Sequence, residues 1–405
     1  VFSVPKFRVG INYITHIGYG PKRKELPLRL LVLGDYTLRE PGMDDVLANR
    51  SKIRVDWDSL NEVMKGQDIA LNLAVSNCLA AEPGEEMIID LRISDLCSFR
   101  PEAVVSQVEE LSTLMEIRTL LEGMQLQGVK EGQGAILAQL LAKIHDTPRS
   151  HEERNRMAGL ARILLGRDQA GQVDEEPINT CIAGLDEVLS RQLDEILHHG
   201  KFRQLESAWQ SLGFLLSRID FNSNVSVEVL SVSKEELAQD FERSGNPLGS
   251  GLFIQVYTQA YDQYGADPIS LMVADYEFDN GQEDIKLLNN IAAVAAVAQC
   301  PFISAVSPGF FGVSSFNEFA QIPNLGTILE TSDYLDWRSF RGSKDSLYAG
   351  LTLPKFLLRL PYGEDANRVE GFNYKENFGT EYHNEYLWGK ASFALASNIA
   401  RSFSN

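Results

Sequence analysis

With 405 residues, 44% hydrophobic and 23% charged, the chain has a globular composition and material for two or three cores. This excludes collagen-like, low-complexity and wholly disordered chains. Thirty-seven basic against 56 acidic residues leave a formal charge of −19, which disfavours nucleic acid and acidic membranes as partners because both need clustered cations. The longest basic run is Lys22-Arg23-Lys24, and residues 181–405 hold 16 basic and 29 acidic residues, so most of the deficit lies there.

In chain order, Phe7, Val9, Ile11 and Tyr13 alternate with other residues as on one face of a half-buried strand. The polar stretch Gly18–Lys24 separates this strand from the next, Leu26–Leu33, so the first is predicted as an arm that can add to another subunit's sheet or as an edge strand of its own domain. Strands are predicted at Asp68–Val75 and Met87–Ile93, divided by the turn Glu82-Pro-Gly84. Pro101 opens a helix, where its missing N–H costs nothing. Val104, Val108, Leu111, Leu114, Met115, Arg118 and Leu121 then recur at helical spacing as a narrow apolar stripe suited to another helix.

Between 128 and 180 a short helix, Ala135–Ile144, has Gly134 before it and Pro148 after it. Ile136, Leu137, Leu140, Leu141 and Ile144 make one face, either a docking peptide or a small packed helix. Gly171–Pro177 reads as a loop. From 180 the pattern is α/β: helices over Ile182–His199 and on to Leu216, a strand at Val225–Val232, and a helix opened by the capping box Ser233-Lys-Glu-Glu236. A strand at Ile269–Ala274, a helix at Asp284–Gln299 and a strand at Pro301–Val306 follow. Such alternation predicts a mostly parallel sheet covered on both faces.

The residues offer little chemistry. Cys78, Cys97, Cys181 and Cys300 have no metal or redox spacing and are predicted as buried thiols in a reducing compartment. No signal-peptide stretch opens the chain, and the most apolar window, Ile291–Val306, is broken by Gln299 and Pro301. The expectation is a soluble, cytoplasmic protein without membrane insertion. Gly245–Gly251 lacks the Lys-Ser/Thr of a phosphate loop. Asp275 is placed at a strand end, where α/β enzymes put carboxylates. His198 and His199 are expected to complement the helix end before Gly200. His383 with Glu381 and Glu385 is a weak metal candidate. Trp337–Tyr348 and Leu351–Gly363 combine aromatic rings with arginine, as interfaces and irregular core segments both do. No catalytic, cofactor or metal site is predicted.

The order of these pieces resembles one family. Leu185–Gly200, Leu205-Glu-Ser-Ala-Trp209, Val232-Ser-Lys-Glu-Glu-Leu237, Ser250-Gly-Leu-Phe253, Ala274-Asp-Tyr276 and Cys300-Pro-Phe-Ile303 are similar to the large sheath subunit of type VI secretion systems (TssC, VipB). So are Ser307-Pro308, Trp337–Phe340, Gly350-Leu-Thr-Leu-Pro354, Arg359-Leu-Pro-Tyr-Gly363 and Tyr386-Leu-Trp-Gly389. Residues 1–128 resemble the small subunit (TssB, VipA), through Glu25-Leu-Pro27, Leu33-Gly-Asp35, Glu62-Val-Met-Lys65, Phe99-Arg-Pro101 and Val104–Val108. Gly342 and Lys344 depart from the acidic residues usual there.

The resemblance implies a mixed α/β protein: a small α+β domain at 1–128, a helical connection at 129–180, and an α/β large-subunit domain at 181–405 that the family extends beyond Phe403. It implies a structural, non-enzymatic, cofactor-free protomer of a phage-tail-like sheath whose contraction drives an inner Hcp tube. Its implied partners are neighbouring protomers, Hcp, a baseplate and the AAA+ ATPase ClpV, which engages a helix like 135–146. It further implies strand exchange through Phe7, Val9, Ile11 and Tyr13, and packing of Val104, Val108, Leu111, Leu114 and Met115 on a large-subunit helix. The readings from other classes are an α/β enzyme using Asp275 and an adaptor that does not polymerise.

Overall fold

The computed structural model describes residues 12–16, 21–39, 45–80, 84–127, 175–262, 267–322, 324–364, 366–378 and 386–404. Strands β1 (Asn12–His16) and β2 (Pro21–Glu25) pair antiparallel, with Tyr13 opposite Lys24. The polar stretch expected to be a spacer therefore supplies β1 with a partner, because the connection 17–20 is short enough for a hairpin. Strand β3 (Leu28–Gly34) is buried at every position but Arg29, as a parallel strand covered on both faces demands. Strand β4 (Ile53–Val55) and helix α1 (Leu60–Gly66) follow.

Strands β5 (Ile69–Ser76) and β6 (Glu86–Ile93) form a hairpin whose residues alternate strictly between buried and exposed, the period-two pattern of a sheet with one wet face. Beyond it, the single long helix expected after Pro101 is two: α2 (Pro101–Gln107) and α3 (Glu109–Gln127), broken where Val108 adopts extended backbone angles. The break lets α2 pack back on β6 while α3 runs along α4 (Glu175–Leu197). Helix α4 starts inside the stretch read as a loop, since Pro177 is tolerated in a first turn.

Helix α5 (Gly200–Leu216) leads to β7 (Val225–Ser231) and α6 (Lys234–Ser244). Helix α6 opens on the capping box, in which Ser233 and Glu236 each accept the other's backbone N–H, and ends at Gly245 with φ +63°. Then come β8 (Leu271–Phe278), α7 (Gln282–Ala298), β9 (Phe302–Val306), α8 (Leu335–Gly342) and β10 (Ala349–Thr352). Strands β11 (Phe356–Leu357) and β12 (Trp388–Gly389) pair, and α9 (Ala391–Ser404) closes the described chain.

The described residues fall into two compact units, each discontinuous in sequence. One draws on Val1–Val63, Ser207–Leu358 and Trp388–Asn405; the other on Met64–Glu206 and Arg359–Leu387. Neither follows the expected 1–128, 129–180, 181–405 division, because strands and helices from both ends of the chain share each core. The first unit holds a six-stranded sheet in the order β10-β9-β8-β3-β7-β4, parallel except for β4. On one face Leu31, Leu33, Leu230, Met272 and Phe302 pack with Leu237 and Phe241 of α6 and Leu288, Ile291 and Ala295 of α7. Helix α9 lies against β8, β9 and β10, where Ser392 donates to the Ala274 carbonyl at 3.2 Å. In the second unit the buried face of the β5–β6 hairpin joins α2, α3, α4 and the start of α5, and Phe99 meets Phe202 edge-on at 5.6 Å.

Candidate functional site: the joint between the two sequence halves

No group of three or more His, Cys, Asp or Glu residues among the described ones could hold a metal. What the geometry builds instead is a joint between residues up to 127 and those from 175 onward, made twice by different physics.

In the sheet unit the joint is backbone. Strand β3 has β7 on one side, from Leu28 opposite Val225 to Gly34 opposite Ser231, and β8 on the other, from Leu30 opposite Leu271 to Leu33 opposite Ala274. Both hydrogen-bonding edges of this early strand are thus taken by late strands. Arg29 pairs with Glu228 at 2.7 Å and also donates to the Asp267 carbonyl. Strand β4 then borders β7 antiparallel, Ile53 opposite Val229.

The segment ahead of β4 is tied down by polar side chains. Arg50 donates to Asp45 at 2.8 Å, to the Ser231 carbonyl at 2.7 Å and to Glu236. Burial opposes charging of this guanidinium, but the two carboxylates outweigh it and raise its pKa. The same hydrogen bonds from Arg50 hold the Asp45 carboxyl below its usual range. Gln255, fully buried, donates to the carbonyls of Leu47 at 2.9 Å and Arg50 at 2.7 Å, and its side-chain oxygen accepts from Lys52 at 2.7 Å. Desolvation lowers the Lys52 pKa. At Gly251 a Cβ would stand 2.8 Å from the Ala48 nitrogen and 2.9 Å from the Leu47 Cβ. Ser250-Gly-Leu-Phe253 therefore combines a cap, in which Ser250 accepts from the Phe253 N–H, with a residue small enough to admit the other half.

In the helical unit the joint is side-chain packing. Val104, Val108, Leu111 and Leu114 are buried and Met115 half-buried. Helix α3 lies along α4, which buries Leu185, Leu189, Leu193 and Ile196. Arg118, in the same stripe, pairs with Asp186 at 2.6 Å and Glu122 at 3.0 Å and donates to the Gly371 carbonyl at 2.8 Å. Gln192 of α4, fully buried, accepts from the Cys78 N–H at 2.8 Å and donates to the Ser76 carbonyl at 3.0 Å, closing the end of β5.

Other expectations land differently. Asp275 lies within β8, not at its end, and pairs with Lys390 at 2.8 Å; the carboxylate is already neutralised. His198 meets Glu376 at 3.2 Å and stacks on Phe378 instead of capping its helix. Of the cysteines only Cys300 is buried; Cys97 is exposed, and Cys78 and Cys181 are intermediate. Trp337 and Phe340 turn inward, Trp337 meeting Phe310 edge-on at 5.1 Å, while Arg338 and Arg341 reach Glu330. Phe7, Val9, Ile11, the helix face Ile136, Leu137, Leu140, Leu141 and Ile144, and His383 with its two glutamates lie outside the described residues. Gln192, Gln255 and Lys390 were not anticipated; a glutamine or lysine carries no sequence signal of a partner over a hundred residues away.

Comparison with known proteins divides the chain at the same joint. Residues 179–405 match the family VipB, "EvpB/VC_A0108, tail sheath N-terminal domain", and residues 2–155 match "Type VI secretion system, VipA, VC_A0107 or Hcp2". The type VI secretion system sheath protein TssC1 of Pseudomonas aeruginosa is 39% identical over 228 residues, 56% of this chain and 46% of TssC1. The sheath protein TssB1 of the same organism is 26% identical over 114 residues, 28% of this chain and 65% of TssB1. The chain thus spans about half the length of TssC1 and under two thirds of TssB1. A strand and helices matching the small-subunit family are built into cores with elements matching the large one, and the chain belongs to the type VI secretion sheath family VipB, joined to a VipA-type partner in one polypeptide.

Proposed function

We propose that the chain is a structural protomer of a contractile, phage-tail-like sheath in the bacterial cytoplasm, attached to a baseplate and propelling an inner Hcp tube on contraction. The observation that carries this reading is β3, one matched part threaded between two strands of the other; a protomer that must slide and rotate as a unit needs its two subunits inseparable. No catalysis is assigned, since Asp275, the one enzyme candidate, is held by Lys390. The arm around residues 7–13 joins a neighbouring protomer, and Ile136, Leu137, Leu140, Leu141 and Ile144 present the face that ClpV engages. Negative-stain microscopy of the full-length protomer tests the reading. Tubes are expected, and they should be lost on deletion of 1–17 but kept in Leu137→Asp with Leu141→Asp. A folded protein that forms no tubes would favour the adaptor that does not polymerise.

A further inference from the structure

Among its described residues, segment 359–378 contains no helix, and its own backbone pairing is sparse: a bridge between Gly363 and Asn367, and hydrogen bonds from the Glu376 N–H to the Tyr362 carbonyl at 3.0 Å and from the Tyr374 N–H to the Phe372 carbonyl at 3.1 Å. It is nonetheless well seated: Tyr362, Val369, Phe372 and Tyr374 are buried. Its polar attachments converge on α4 and the start of α5. Arg359 donates to Glu206 at 2.8 Å and to Glu376 at 2.8 Å. Glu376 also accepts from the Tyr362 N–H at 3.0 Å and meets His198 at 3.2 Å. Asp194 accepts from the Tyr374 hydroxyl at 2.8 Å and from the Asn377 N–H at 3.3 Å.

The charges in this cluster do not balance. Glu206 and Glu376 have side chains only 1% exposed, and one oxygen of Glu206 is buried without a hydrogen-bond partner. With Asp194 that makes three carboxyls, and among the described residues the one permanent cation hydrogen-bonded to any of them is Arg359, which holds Glu206 and Glu376 but not Asp194. The imidazole of His198 adds charge only when protonated. The remaining ionisable groups facing them among the described residues are Arg203 on α5, Arg100 ahead of α2, Tyr362 and Tyr374 on the segment itself, and the Cys78 thiol with Arg191 and Glu195 beside it. Neither tyrosine can relieve the excess by ionising, because burial drives both phenols up.

We propose that this cluster is a proton-operated latch: with one proton bound it clamps segment 359–378 onto α4, and on losing that proton the crowded carboxylates repel and the segment loosens. Burial also raises the Glu206 carboxyl, but Glu206 is bonded by Arg359, whereas among the described residues Asp194 is bonded by no cation. Asp194 is therefore the site of uptake. Its burial, reinforced by Glu376, overrides two hydrogen bonds and His198 and lifts its carboxyl to about 6. Glu376 stays ionised, because His198, Arg359 and the Tyr362 N–H outweigh its burial and bring it down to about 2.

Hydrogen exchange of the full-length protein, corrected for the intrinsic chemistry of the amide, tests this at about pH 5 and pH 8. Amides of 366–378 should exchange about tenfold faster at the higher pH, while the β5–β6 hairpin of the same unit stays unchanged. In Asp194→Asn, which keeps an acceptor for Tyr374, the segment should stay protected at both values. The proposal is overturned if protection in the native protein is independent of pH, if hairpin and segment lose it together, or if Asp194→Asn retains the full pH response. Should the variant not fold, the native comparison alone decides.

Discussion

The two compact units solve the same problem, holding two sheath-family parts together, by opposite means. In the sheet unit the attachment is β3, whose backbone is hydrogen-bonded to β7 and β8 along both edges. A one-residue slip would carry every side chain of β3 to the opposite face of the sheet, into a core packed for a different residue, so this joint is all-or-none. In the helical unit the attachment is α3 on α4, apolar side chains reinforced by Arg118 and Asp186, where packing can relax around a single change. The lesson is that register secures the identity of the partner, while helix packing and charge adjust how tightly it is held.

Breaking the strand joint should have the largest effect. Val32→Pro deletes a ladder donor in the central strand, where proline is not accommodated, and soluble expression should be lost. On the helical side, Leu111→Asp forfeits about 1.5–3 kcal/mol of burial and adds an unpaired buried carboxylate. Expressed as two chains, the halves should then fail to co-purify, whereas normal co-purification would show that α3 is not needed for attachment. Gly251→Ala probes the close approach of Leu47 and Ala48; overpacking there should cost about 1–3 kcal/mol, read as a lower midpoint in urea with unchanged slope.

The smallest effect is pH-dependent and confined to the helical unit. The Asp194 carboxyl titrates at about 6 in the folded protein against an ordinary 3.8, so its stabilising contribution is complete below pH 3.8 and is lost as pH rises through 6. Glu376, lowered from 4.5 to about 2, acts oppositely: its contribution is present above 4.5 and lost as pH falls toward 2. Asp194→Asn should therefore raise stability at pH 8 by about 1 kcal/mol, allowing for partial exposure, and change nothing in its favour at pH 4. Denaturant titrations at the two pH values check this.

Much of the framework was legible. The run at 28–34, the alternation at 69–75 and 87–93 and the box at Ser233–Glu236 carry local signals strong enough to survive folding. Strand β4, three residues with Arg54 in the middle, carries none. The break at Val108 was invisible because apolar spacing continues straight across it. Strand order was also out of reach, since β3 chooses neighbours some two hundred residues away through main-chain groups that every residue shares. The cluster of Asp194, His198, Glu206, Arg359 and Glu376 had the same difficulty: its members look like ordinary solvated charges until the chain brings them together.

The central claim is that the two matched parts fold interdependently, β3 of one completing the sheet between β7 and β8 of the other. Expression of residues 1–127 and 175–405 as separate chains, alone and together, with circular dichroism and size-exclusion chromatography, tests it most directly. Together they should form a soluble one-to-one complex that melts cooperatively, while 175–405 alone, with a gap between β7 and β8, should aggregate or remain unfolded. A 175–405 fragment that is monomeric and melts as sharply alone as in the mixture would contradict the account.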